Sequence, residues 1–141
     1  MRSLLFTWVM RWAYRLQNEG RFEPVLRLVA DDATLVFPGA NRWGGTYNGK
    51  AQLRNFMQEL YRLGLQFTVH DVLVKGWPWN MSVVVVISDR ALGADGEVAY
   101  ANRAVEIWRV HWFKIVSGEL FEDTELATAW DKRLSAQAAR A

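Results

Sequence analysis

The chain has no cysteine, only two histidines and only three prolines. Without cysteine neither disulfides nor thiolate chemistry is available. His70 and His111 lie far apart, with no H-x-H or H-E-x-x-H spacing, so no metal motif is present. There is no G-x-S-x-G, phosphate loop or dinucleotide fingerprint, and no cofactor is expected. The thirteen arginines are scattered without a basic run of five, and the net charge is only +2. A nucleic-acid partner is therefore not expected. Long hydrophobic runs are missing too. The apolar stretch from Ser3 to Met10 is interrupted afterwards by Arg11 and Arg15, lacks a small-x-small cleavage site, and is too short to span a bilayer. The expectation is a cytoplasmic protein with no membrane partner. No internal repeat or linker breaks the 141 residues, which read as a single domain, 1–141.

What is present is apolar and aromatic. Half of the residues are hydrophobic and eight are tryptophan. A core this small cannot easily enclose eight indoles, so some must line a cavity or an interface. Leu4, Leu5, Trp8, Val9, Trp12 and Leu16 recur at helical spacing, which predicts a helix over residues 3–18. Gly20 ends it. A short second helix is predicted over 23–30, with Pro24 in its first turn, where the missing amide costs nothing. Ala33 to Phe37 is a β-type run closed by Pro38-Gly39. The glycines at 44, 45 and 49 read as a turn before a helix that carries Leu53, Phe56, Met57, Leu60 and Tyr61 on one face.

The second half reads as strands. Residues 65–77 change apolar parity at His70-Asp71, from Leu65, Phe67 and Val69 to Val72 and Val74, which predicts a β-bulge. Trp77-Pro78-Trp79-Asn80 forms a turn. Met81 to Ser88, nearly all β-branched, reads as a strand buried on both faces. Gly93-Ala94-Asp95-Gly96 is a hairpin loop. Val98 to Ile115 reads as one long strand that must bend, followed by a last strand over 116–123 and a terminal helix or tail over 125–134.

Three carboxylates are candidates for proton transfer, because a dry cavity raises a carboxylate's pKa toward neutrality. Glu106 lies in an otherwise apolar run and shares a strand face with Asn102, Ala104, Trp108 and Val110. It is either buried and functional or on an exposed sheet face. Asp123 ends the last strand and is either catalytic or the cap of the terminal helix. Glu119 shares a face with Phe121 and Asp123 and is either catalytic or on a solvated edge. His70 is a further acid/base candidate because of its natural pKa. Tyr14, Trp43, Tyr47, Asn102 and Trp108 are the candidates for substrate contact.

The order helix, glycine, helix, Ala30-Asp31-Asp32-Ala33-Thr34 and Pro38, followed by long strands, resembles the nuclear-transport-factor-2-like superfamily. That group includes ketosteroid isomerases, limonene epoxide hydrolases and SnoaL-like polyketide cyclases. The resemblance implies an α+β fold, a cone-shaped barrel in which a curved, mostly antiparallel mixed sheet wraps around the N-terminal helices. It covers roughly residues 11–128. Residue by residue, the ketosteroid isomerase general base falls on Phe37 and is absent. The oxyanion-hole tyrosine falls on or beside Ala13, one step from Tyr14, and the protonated aspartate falls on Glu106. The Arg-x-Asp of the epoxide hydrolases falls on Val85-Val86-Ile87 and is lost, while their other aspartate matches Glu119. The acid/base aspartate of the SnoaL-like cyclases matches Asp123, and this group is the closest in pattern. The implied function is cofactor-free acid/base catalysis on a small hydrophobic substrate, and the apolar residues on both faces of the strands at 81–88 and 98–110 predict a homodimer that covers the face the helices leave free. The alternative is a non-catalytic ligand-binding or dimerisation module of the same fold.

Overall fold

The computed structural model describes all 141 residues. The elements run α1 (Arg2–Asn18), α2 (Glu23–Leu26), β1 (Val29–Phe37), β2 (Gly45–Asn48), α3 (Gly49–Arg62), β3 (Gln66–Trp77), β4 (Asn80–Leu92), β5 (Val98–His111), β6 (Lys114–Glu122) and α4 (Thr124–Arg140). One six-stranded sheet has the order β2-β1-β6-β5-β4-β3. Only β1 and β6 pair in parallel, and the other pairs are antiparallel. α1 packs on β3, α3 on β1 and α4 on β5. The helices lie against the face lined by Val83, Val85 and Ile87, all about 1 % exposed or less. This is the α+β architecture expected from the sequence.

The parity change in β3 has its physical cause in a bulge. The pairing with β4 slips between Val69 and Asp71, leaving His70 unpaired in the ladder, and Val69 and Val72 are both buried as a result. His70 itself is exposed and bonds Ser88 Oγ at 2.7 Å.

Four sequence expectations need correction. Residues 98–115 do not form one bent strand. They fold into a β5–β6 hairpin turning at Trp112 and Phe113, whose φ values are +49° and +66°. Tight hairpins normally put Asn-Gly at such positions, so two aromatics gave no turn signal. Their amides find acceptors in the neighbouring turn, Trp112 N–H at Trp79 O (3.4 Å) and Phe113 N–H at Pro78 O (2.9 Å). The second helix stops at Leu26, because Val29 and Ala30 already belong to β1. The glycine-rich loop contains the short edge strand β2, which pairs Thr46 with Val36 and Tyr47 with Leu35. Finally, β4 is buried on one face only. Met81, Val83, Val85 and Ile87 are buried, while Ser82, Val84, Val86 and Ser88 are half-buried on the outer face.

Candidate active site

The helices and the concave face of the sheet enclose a cavity of about 150 Å³. Its wall is almost wholly apolar. Met10 and Ala13 come from α1, Leu53 and Phe56 from α3, and Ile87, Ala104 and Leu120 from the sheet. α4 closes one side with Ala127 and Trp130. Trp130 stacks between Trp43 (5.2 Å between centroids) and Tyr100 (4.3 Å). The loop carrying Trp43 is tied to α4 by Arg42, which bonds Asp131 through its Nε (2.6 Å) and its backbone amide (2.8 Å). The terminal segment is therefore a wall of the cavity and not a tail.

Three carboxylates face this apolar space: Glu106 on β5, Asp89 on β4 and Glu122 on β6. Strand parity puts them there. Asp89 continues the inward series Val83, Val85, Ile87; Glu106 follows Asn102 and Ala104; Glu122 follows Leu120. Burial dominates the titration of all three, since a low-dielectric wall disfavours the charged form. It pushes Asp89 up to about 6. It pushes Glu106 up to about 7, against the opposing effect of two hydrogen bonds and with a small further rise from the charge on Asp89. It pushes Glu122 up to about 8, assisted by the charges on Asp89, Glu106 and Asp123.

Glu106 is only 6 % exposed. Its Oε2 accepts from the Tyr14 hydroxyl and, at 2.8 Å, from Trp108 Nε1. Burial and the adjacent Glu106 charge hold the Tyr14 hydroxyl well above its usual range, so it stays protonated and donates. Trp108 reaches Glu106 because of the residue across from it. Trp108 pairs with Gly118 on β6, and a Cβ at Gly118 would lie 2.3 Å from the indole. Only glycine lets the ring lie flat over the strand.

The remaining sequence candidates fall into three groups. Glu106, Tyr14, Trp108 and Trp43 border the cavity together. Tyr47 and Asn102 stand behind its wall. Tyr47 packs on Phe56 and donates to Trp43 O at 2.6 Å, while Asn102 is buried and donates to the Tyr100 hydroxyl (2.8 Å) and Asp123 O (2.9 Å). Asp123, Glu119 and His70 are exposed and do not border the cavity. Asp123 caps α4, accepting from the amides of Glu125 (3.1 Å) and Leu126 (3.3 Å). Phe37, where a general base was missing, is buried in the cavity wall. Sequence reasoning missed Asp89 and Glu122. The parity of β4 and β6 was the available signal, because each is the one acid in phase with its strand's buried apolar series.

A family model for the SnoaL-like domain matches residues 10–120. No curated protein matches the chain. Among solved structures, Bal32a from a soil-derived mobile gene cassette superposes with a TM-score of 0.77 at 15% identity, covering 93% of this chain and 99% of that one. An NTF2-like protein of unknown function from Burkholderia pseudomallei K96243 gives a TM-score of 0.73 at 18% identity, covering 89% and 95%. SalBIII, described as an epoxide hydrolase/cyclase-like enzyme with a role in pyran ring formation in the polyether salinomycin, gives 0.68 at 16% identity, covering 85% and 92%. At these identities the likeness establishes the fold.

Proposed function

Because the chain belongs to the SnoaL-like domain family, we propose that it binds a small hydrophobic molecule in its cavity and moves protons on it without a cofactor. One observation carries this reading. Three carboxylates border a single apolar cavity, and burial spreads their pKa values to about 6, about 7 and about 8. Titratable pairs pushed apart in this way supply both a base and an acid at neutral pH.

At pH 7 Asp89 is mostly ionised and Glu122 mostly protonated. Asp89 takes a proton from the carbon beside a carbonyl, and the C–H electron pair forms the C=C bond. The carbonyl π pair moves to oxygen, which takes the proton of Glu122, giving a neutral enol and a Glu122 carboxylate. Return of a proton from Asp89 to the α-carbon, and of the enol proton to Glu122, completes an α-proton exchange. Where the substrate carries a β,γ double bond, return of the proton to the γ-carbon of the dienol moves that double bond into conjugation, with no net redox change. Glu106, fixed through Oε2 by Tyr14 and Trp108, borders the same cavity with an intermediate pKa, and its charge raises that of Glu122. Epoxide opening and ring closure need the same acid and base across a dry space. SalBIII, of the same fold, is described as an epoxide hydrolase/cyclase-like enzyme with a role in pyran ring formation.

The proposal extends to a homodimer. The outer sheet face carries Leu73, Val84, Ile107, Val86, Val105 and Phe121, adjacent across β3, β4, β5 and β6 and half-buried or exposed. A two-fold pairing of sheets covers this stripe. Sedimentation as a concentration-independent 16.3 kDa monomer would refute this part.

Deuterium exchange at the α-carbon of cyclohexanone in D2O, followed by proton NMR, tests the chemistry. The wild type is expected to exceed Asp89→Asn and Glu122→Gln by about a hundredfold or more, the lower end of acid/base contributions. Exchange at equal rates in all three proteins refutes it and leaves a non-catalytic ligand-binding module.

A further inference from the structure

Four buried side-chain polar atoms have no hydrogen-bond partner: Gln17 Oε1, Trp43 Nε1, Asp89 Oδ1 and Glu122 Oε1. All four belong to residues that border the one apolar cavity. Buried polar groups are otherwise paired as a rule, because an unmade bond is destabilising. Two of these atoms belong to acid/base groups. The other two have no part in proton transfer, and their chemistry is fixed. Trp43 Nε1 only donates. Gln17 Nε2 donates to Met57 O at 2.9 Å, so its amide is oriented with Oε1, an acceptor, left over. Gln17 comes from α1 and Trp43 from the loop after β1, so the two reach the cavity from different walls.

Size and charge narrow the occupant further. A dry apolar cavity of roughly 150 Å³ accommodates benzene, and this one has about that volume. No lysine, arginine or histidine lines it, so an anion would meet three carboxylates and no counter-charge. Resting on the acid/base reading of this same cavity, we propose that its substrate is a neutral molecule the size of one six-membered ring. An acceptor oxygen of this molecule, a ketone or ether, meets Trp43 Nε1, and a separate donor, a hydroxyl, meets Gln17 Oε1.

The test is NMR titration of the full chain with 4-hydroxycyclohexanone, cyclohexanone, methylcyclohexane, 4-oxocyclohexanecarboxylate and the two-ring 2-decalone. In the wild type, 4-hydroxycyclohexanone should bind tightest, methylcyclohexane more weakly, and the carboxylate and 2-decalone worst. Trp43→Phe should weaken both ketones about five- to tenfold, the usual size of one lost neutral bond, and leave methylcyclohexane unchanged. Gln17→Met should weaken only 4-hydroxycyclohexanone. Equal binding of the three neutral monocyclic probes, tighter binding of the carboxylate or 2-decalone, or a uniform loss across all probes in either variant overturns the proposal. The wild-type ranking decides the matter even if a variant fails to fold. The ranking without α-carbon exchange would sink the acid/base reading alone. Exchange without the ranking would sink this proposal alone.

Discussion

Replacing Glu106 by glutamine isolates the cost of keeping a carboxyl group in this cavity. In an unfolded chain a glutamate titrates near 4.5, whereas burial raises Glu106 to about 7 in the fold. The native state therefore holds its proton more tightly than the unfolded state. Stability from this group is fully present below pH 4.5 and is lost as pH rises through about 7, after which no further loss occurs. At about 1.36 kcal/mol for each tenfold change in proton affinity, the loss between pH 4.5 and pH 8 is about 3 kcal/mol. A glutamine keeps the shape and the acceptor for Tyr14 and Trp108 but cannot ionise. Glu106→Gln is expected to match the wild type near pH 4.5 and to exceed it by about 3 kcal/mol at pH 8, or roughly 10 °C in Tm for a chain of this length. Urea unfolding of both proteins at half-unit intervals from pH 4.5 to 9 reads the difference directly. Asp89 and Glu122 are present in both proteins, so the difference belongs to position 106 and its coupling. Parallel curves across the whole range, or a variant less stable than the wild type at pH 8, would refute the reasoning.

Other changes separate the site from its supports. Gly118→Ala should displace the Trp108 ring that a Cβ would strike at 2.3 Å, and so remove one of the two donors that hold Glu106 down. The expected result is a loss of about 1–3 kcal/mol by overpacking and a further rise in the Glu106 pKa, measured by carboxyl-carbon NMR titration. Tyr14→Phe deletes the other donor and should raise the same pKa while leaving the inward position of Glu106 intact, with the same NMR titration as its check. Asp123→Ala should cost about 1 kcal/mol through loss of the α4 cap and leave α-carbon exchange unchanged; a tenfold drop in exchange without a change in stability would return Asp123 to the chemistry. The pH profile of exchange should be a bell, rising through about 6 as Asp89 ionises and falling through about 8 as Glu122 does. A profile flat between pH 5 and 9 would contradict the assignment of base and acid.

The fold was legible because its signals are local and redundant. α1 and α3 carry helical apolar spacing, β3 shows its bulge as a parity change at His70, and Pro38-Gly39 stops β1. The β5–β6 hairpin was not legible, because Trp112 and Phe113 occupy left-handed positions for which nothing in their side chains is a signal. Glu106 was legible as the acid its strand pattern least explained. The other two cavity carboxylates were not, for different reasons. Glu122 adjoins Asp123, and the cyclase-like pattern points to the second acid, although only Glu122 is in phase with Leu120. Asp89 lies just past the β-branched run. Its side chain continues the inward series of Val83, Val85 and Ile87 into the cavity, but a polar residue at the end of such a run reads from sequence as the strand's exit into solvent.

The lack of any cation in the cavity wall bears on how the site keeps its charge. A cavity with an arginine holds a neighbouring aspartate ionised well below neutrality, and its chemistry is then insensitive to pH in the physiological range. Here no cation borders the space, and three acids repel one another across it. The first proton to leave comes from Asp89, and each further ionisation is opposed by the charge already present. Near neutrality the cavity thus holds about one to two negative charges, with at least one carboxyl still protonated. On the proposed assignment an acid and a base coexist near neutrality because burial and mutual repulsion delay the last ionisation to about 8, so no fixed partner is needed to set their roles. Introducing a cation into that wall tests the account. Ile87→Lys would supply the missing counter-charge among Asp89, Glu106 and Glu122, and the raised values should fall toward ordinary carboxylates. The alkaline limb of the exchange profile would then move from about 8 to lower pH, as Glu122 loses its proton earlier. Ile87→Met, which fills a similar volume without charge, controls for packing and should preserve the bell. Retention of the limb at about 8 in a folded Ile87→Lys protein would show that repulsion and burial do not set the acid, and the partition proposed for the three carboxylates would fail.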